Sequence, residues 1–193
     1  MGYTHYWYVP AEFETERFVK FMEDCKKICE ILPIPLGNGA GEGVPTFNRD
    51  VVCFNGHIHS EGFARQDGLI WPENKAESVG IPGSEVKTGN WFAGSVTNAR
   101  SVDSNGDGSY ETFCIERKAH LQSWETPKEN GLYFSCCKTN FRPYDLNVQC
   151  CLIALKEHFP EVIIQSDGTP EQWGEAISDC QHILGYGLLF NIE

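Results

Sequence analysis

The sequence predicts an α+β fold: a mostly antiparallel sheet with about three helices packed on it, plus an irregular β/loop insertion. Two observations lead there. Short aromatic and β-branched runs recur at residues 3–9, 50–54, 110–115, 133–137 and 162–165, while apolar residues fall at helical spacing in 12–32, 146–159 and 170–184. The resulting order, β-α-β-(insertion)-β-β-α-β-α, suits an antiparallel sheet with helices on one face.

Residues 3–9 read as a strand, and Pro10 ends it. In 12–32, Phe18, Phe21, Cys25, Ile28, Cys29 and Leu32 form an apolar stripe. Early acids (Glu12, Glu14, Glu16) and late lysines (Lys26, Lys27) match the helix dipole, and Pro33 and Pro35 stop the helix. Residues 37–43 are glycine-rich and read as a turn. Gly39-x-Gly41-x-Gly43 is not the dinucleotide pattern and does not join a strand to a helix. The strand at 50–54 is expected to close in an Asn55-Gly56 turn.

Residues 57–100 lack periodicity and carry Trp71 and Trp91 among Gly, Asn, Ser and Pro, which predicts an insertion with short strands of its own near a site. Residues 104–108 form a turn, 110–115 and 133–137 strands, 146–159 a largely apolar helix and 162–165 a buried strand. Thr169-Pro170-Glu171-Gln172 is a helix start with Thr as N-cap, Pro at the first position and Gln closing a capping box. Trp173, Ala176, Ile177, Cys180, Ile183 and Leu184 then form a stripe that Gly185 ends.

The 193 residues suit a single domain, 1–193, with the insertion at about 57–100. A formal net charge of -12 with no basic stripe disfavours long nucleic acid, though a pocket for a small anion needs only two or three cations. No run approaches the roughly 18 apolar residues of a membrane span. The first residues lack the basic start and aliphatic block of a signal peptide, so the expected location is the cytoplasm, or the host cytoplasm if the gene is viral. Nine cysteines, an odd number with no C-x-x-C, then read as thiols rather than disulfides or a zinc site. No metal is predicted, no cofactor is named by the sequence, and homo-oligomerisation is left open.

The most informative segment is 137–145, Cys-Lys-Thr-Asn-Phe-Arg-Pro-Tyr-Asp, which joins a strand to a helix. Pro143 suits the first helical turn, so free N–H groups and the positive dipole end are expected to point outward beside Lys138, Thr139 and Arg142. That makes a site for phosphate or carboxylate. The structural alternative is that Arg142 and Lys138 pair with Asp145 or Glu111 and brace the loop.

Residues 1–7 (Met-Gly-Tyr-Thr-His-Tyr-Trp), Glu111-Thr112-Phe113, Lys138-Thr139 with Arg142-Pro143-Tyr144-Asp145, and Ser166-Asp167-Gly168 with Trp173 resemble a family of uncharacterised proteins scattered through bacterial and viral, including phage, genomes. The resemblance spans both ends of the chain. It departs at Asn140 and Phe141, where the family has small and basic residues, and at 57–100, which looks like an addition. It implies a shared fold and a shared pocket, and no activity.

Other patterns are weaker. Asp103-Ser-Asn105-Gly-Asp107-Gly108 resembles half of a calcium loop, but Cys114 stands where a bidentate Glu belongs. Glu116-Arg-Lys118 with Asp103 or Asp107 can be drawn as a nuclease-like arrangement. His57 and His59 would share one face of a strand, with Glu61 or His5 as a third ligand. No Gly-x-Ser-x-Gly elbow is present.

The leading expectation is a small-molecule binding protein for an anionic, nucleotide-like ligand. Lys138, Thr139 and Arg142 would hold the charged group. Trp7, Tyr144 or an insertion aromatic would stack on the base, and Glu111, Asp145 and Asp167 would orient the cations. Thr112 and His5, within the matching motifs, complete the candidate set. The family's genomic distribution suggests, by association alone, sequestration of a host immune signal nucleotide. The alternatives are a hydrolase or transferase acting on a nucleotide or its sugar, with Glu111 or Asp145 as general base, and a protein-binding inhibitor that uses the Trp-bearing segment.

Overall fold

The computed structural model describes residues 3–60, 62–63, 100–121, 126–128 and 130–192. The expected insertion therefore lies almost wholly outside the described residues. The fold is α+β, with three helices and antiparallel sheets and no closed barrel among the described residues.

The chain runs through β1 (Thr4–Val9), α1 (Thr15–Ile31), β2 (Leu36–Gly37), β3 (Thr46–Asn48), β4 (Val51–Gly56), β5 (Phe113–Glu116), β6 (Tyr133–Lys138), α2 (Asp145–His158), β7 (Ile163–Ser166) and α3 (Gly174–Leu184). One sheet has the order β6-β1-β7, with β1 antiparallel to both neighbours. In the other, β4 is the hub, pairing with β2, β3 and β5. Residues 11–13 stitch the segment after β1 to the end of β5: Phe13 N–H donates to the Arg117 carbonyl and Ala119 N–H to that of Ala11.

Helix α1 starts three residues later than its periodicity suggested. Glu14 turns its carboxylate onto the N–H groups of Glu16 (2.9 Å) and Arg17 (2.8 Å) and caps the helix, while Glu12 is drawn away to Arg117. Phe18, Phe21, Cys25 and Ile28 are its buried face. Helix α2 is buried from Asp145 through Leu155, and it packs against α1, α3 and β7. Helix α3 is preceded by a 3₁₀ turn, Pro170–Trp173, which carries the expected capping box. Gly185 ends α3 in the left-handed region at φ 84°.

Asn55-Gly56 is not a turn. Strand β4 continues through both residues because the buried Asn55 amide serves as a cross-link. Its Nδ2 donates to the carbonyls of Gly39 and Tyr110, and its Oδ1 accepts from Tyr110 N–H at 3.0 Å. Residues 110–112, read as strand, are held by such contacts instead, and β5 starts at Phe113. Among the described residues no helix is long and apolar enough to cross a membrane.

Candidate functional site

The C-terminal ends of β6 and β7, the start of β1 and the start of α2 converge on one buried polar network. Asp145, the first residue of α2, is fully enclosed. Its Oδ1 accepts from His5 Nε2 (2.7 Å) and Thr139 Oγ1 (2.5 Å), and its Oδ2 from Arg100 Nε (2.9 Å). Arg100 also donates to Glu175 (2.5 Å) and Gln149 (2.7 Å), so each of its three nitrogens makes a bond. Burial alone would raise the Asp145 pKa, but His5, Arg100 and Thr139 override it and hold the carboxyl down at about 2. Arg100 is shifted further up: burial opposes its charge, but Asp145 and Glu175 outweigh burial.

His5 and Ser166 are cross-strand partners, and their side chains meet at 2.9 Å through Nδ1. An ionised Asp145 only accepts, so His5 Nε2 carries the proton toward it. In the neutral ring Nδ1 then accepts from the Ser166 hydroxyl. Ser166 Oγ in turn accepts from Gly168 N–H at 2.9 Å. Trp173 and Tyr3 close over the imidazole edge-on, both at 5.1 Å between centroids.

The second feature is a seam. Residues 100–111 lie along the 138–145 turn and are tied to it at both ends, by Ser101 N–H to the Phe141 carbonyl and Glu111 N–H to the Lys138 carbonyl. Inside the seam lies Arg142, only 6% exposed. Its Nε and Nη1 have no hydrogen-bond partner among the described residues, and its Nη2 is 3.8 Å from Asp103, too far for a hydrogen bond. The two residues before it, Asn140 (φ 50°) and Phe141 (φ 57°), are both in the left-handed region, costly for an aromatic residue.

The structure redistributes the expected roles. Arg142 pairs with neither Asp145 nor Glu111; Arg100 has taken Asp145. Thr139 faces inward to Asp145 and is fully buried. Trp7 (1% exposed) and Tyr144 (buried) have no open face on which a base could stack; Trp7 lies against Phe113 in the core, and the Tyr144 hydroxyl donates to the Glu111 carbonyl at 2.6 Å. The Glu111 carboxylate accepts from Lys138 N–H at 2.7 Å, and Thr112 Oγ1 donates to the Gly39 carbonyl. Asp167 accepts from Thr4 N–H and the Tyr6 hydroxyl, both at 3.1 Å. Lys138 Nζ stands 5.5 Å over the ring of Tyr110, which is 43% exposed.

The expected outward N–H groups at the start of α2 are also used internally. Arg142, Asp145 and Leu146 donate back to Thr139, Arg142 and Pro143. Pro143 lies before the cap residue Tyr144 rather than in the first turn.

The other motifs do not assemble. Asp103 Oδ1 accepts from the N–H groups of Asn105 and Asp107, as a turn requires. Glu116 pairs with Val51 at the start of β4, while Gly108 bonds to His57 just past its end, so the nuclease-like residues are separated by the length of that strand. His57 Nδ1 accepts from His59 N–H, and Glu61 lies outside the described residues. Among the described residues no group of three or more His, Cys, Asp or Glu is placed to hold a metal.

Arg100, Gln149, Glu175, Ser166 and Tyr3 belong to the network without having been singled out. Ser166 stands in the Ser-Asp-Gly motif and Tyr3 in the motif at residues 1–7. Arg100 ends an aperiodic stretch and carries no local signal for a partner 45 residues away.

Comparison with family models, with curated proteins and with solved structures finds no match.

Proposed function

We propose that the chain binds a small anionic ligand, nucleotide-like in character, at the seam between residues 100–111 and 138–145. The observation that supports this is Arg142. A guanidinium that is nine-tenths buried with two unpaired N–H-bearing nitrogens is costly to the free protein, and an anion entering the seam would remove that cost. Asp103, near Nη2 without bonding it, is the group such an anion would displace. Tyr110, exposed beside Lys138, replaces Trp7 and Tyr144 as the residue on which a base would stack. Sequestration of a signal nucleotide is the role that fits binding without turnover.

The test is a thermal-shift and calorimetry series with inorganic phosphate, nucleoside mono-, di- and triphosphates and cyclic dinucleotides. At least one should raise the melting temperature of the parent protein. Arg142→Ala, and Arg142→Lys, should weaken that binding roughly ten- to a hundredfold, the value of a charge-assisted bond of about 1.5–3 kcal/mol. Normal affinity in Arg142→Ala with a lowered melting temperature would return Arg142 to a bracing role.

The Ser166–His5–Asp145 chain supports a second reading, a hydrolase or transferase with Ser166 as nucleophile. It replaces Glu111 or Asp145 as general base by His5, since Asp145 holds its proton too weakly at about 2. A fluorophosphonate probe should then label the parent protein at Ser166 and leave Ser166→Ala unlabelled. An unlabelled parent protein removes this reading.

A further inference from the structure

Outside the seam, the second sheet carries a pair of thiols in register. Cys53 on β4 lies directly opposite Cys114 on β5. Arg117 N–H donates to the Asp50 carbonyl, which marks Asp50–Arg117 as a hydrogen-bonded pair of this ladder. Pair type alternates along an antiparallel ladder, so three steps on Cys53–Cys114 is a non-hydrogen-bonded pair, whose Cα atoms stand about 4.5 Å apart with side chains close. That separation falls inside the range of about 4.4–6.8 Å that a disulfide spans. Both thiols lie on the partly exposed face of their strands, while Val52, Phe54, Phe113 and Ile115 face the core. Among the remaining seven cysteines Cys25, Cys137, Cys150, Cys151 and Cys180 are buried, Cys29 is partly exposed on α1, and Cys136 is exposed on another strand.

We infer that Cys53 and Cys114 form an oxidant-sensitive dithiol, a modification site at which a peroxide closes a reversible cross-strand disulfide. The Cys53 thiolate attacks one oxygen of hydrogen peroxide. The O–O bond breaks, hydroxide leaves and takes up a proton, and Cys53 becomes a sulfenic acid. Cys114 sulfur then attacks Cys53 sulfur, the S–S bond forms, and the sulfenic oxygen departs as water with the Cys114 proton. Two electrons pass from the two sulfurs to the peroxide. Hydrogen bonding with Cys114 brings the Cys53 thiol down to about 7, against partial burial and the Glu116 charge, and Cys114 is pushed well up in return. Cys53 is thereby the attacking sulfur and Cys114 the resolving one. The closed bond would pin β4 to β5 two residues after Thr112, which follows Glu111 at the end of the seam.

The test uses the full chain, reduced and freed of reductant, then treated while folded with limiting hydrogen peroxide. The remaining thiols are alkylated and the digest is mapped by mass spectrometry. The expected main product is one intramolecular Cys53–Cys114 disulfide, reversed by dithiothreitol. Cys114→Ser should leave a sulfenic acid on Cys53 that dimedone traps, and Cys53→Ser should leave Cys114 a thiol. Consumption of the peroxide at Cys136 with Cys53 and Cys114 unchanged would overturn the inference, as would separate over-oxidation of the two sulfurs. If either variant fails to fold, the map of the parent protein decides alone.

Discussion

An Asp145→Ala variant is expected to lose about 3 kcal/mol of stability, the lower end of the cost of breaking a buried ion pair, because Arg100 keeps Glu175. The change strips Arg100 of its main counter-ion while Arg100 stays about 10% exposed, and it takes from His5 and Thr139 their common acceptor. Helix α2, β1, the 138–145 turn and residue 100 meet at this one carboxylate, so the loss falls on several elements together. Urea denaturation would show it as a lower midpoint at an unchanged slope. A double variant, Asp145→Leu with Arg100→Met, should recover part of the loss, because replacing both charges removes the desolvation cost that breaking one exposes. An Ala variant within 1 kcal/mol of the parent protein (roughly the typical single-substitution cost) would show that the network does not support the fold.

The same carboxylate sets an acid limit. Its folded pKa of about 2 lies below the ordinary 3.8, so the folded state binds its proton less readily than the unfolded chain does. Its contribution is fully present above about pH 4 and is lost as pH falls through 2. The shift corresponds to about 2–3 kcal/mol. Denaturation midpoints between pH 5 and 2 should fall steeply for the parent protein and less steeply for Asp145→Leu with Arg100→Met.

Gly56→Ala should also be damaging, by a different route. A Cβ at Gly56 would land on the carbonyl oxygen of Gly108 and within 2.8 Å of the Tyr144 ring. The first obstacle is backbone and cannot rotate away, so either β4 or residues 100–111 must move. Overpacking of this kind costs about 1–3 kcal/mol. Because residues 100–111 form one wall of the seam, the shift would also move Asp103 and Glu111 relative to Arg142. The expected result is a lower melting temperature together with weaker binding of whichever nucleotide or phosphate the screen returns. Gly106→Ala is the control: an added Cβ there meets nothing within 4 Å, so only its positive φ of 82° is strained. Equal losses in the two variants would mean that local strain, not the contact with residue 108, governs Gly56.

Periodic elements were legible in the sequence because period and burial coincide in them. Phe18, Phe21, Cys25 and Ile28 both announce α1 and form its buried face. Thr169 to Gln172 carry a capping box in their side chains, and the box forms. Short strands were harder: Leu36–Gly37 and Thr46–Asn48 hold too few residues for any period, and only pairing with β4 makes them strands. Asn55-Gly56 carries the local signal of a turn, but a buried amide with partners at Gly39 and Tyr110 is worth more than that preference, so the strand continues.

The candidate site divides in the same way. The cluster of Lys138, Thr139, Arg142 and Asp145 is visible in nine residues of chain. Which cation meets which carboxylate is not, since that depends on the residue that the 100–111 segment brings across. Arg100 arrives at Asp145 from 45 positions away, and Arg142 is left with a distant Asp103 at 3.8 Å and two nitrogens without a hydrogen bond. Local spacing determines helices, caps and the composition of a loop. Pairing among buried charges is decided by tertiary contacts, because a desolvated charge takes the best-placed counter-ion in space, and sequence distance does not enter that choice.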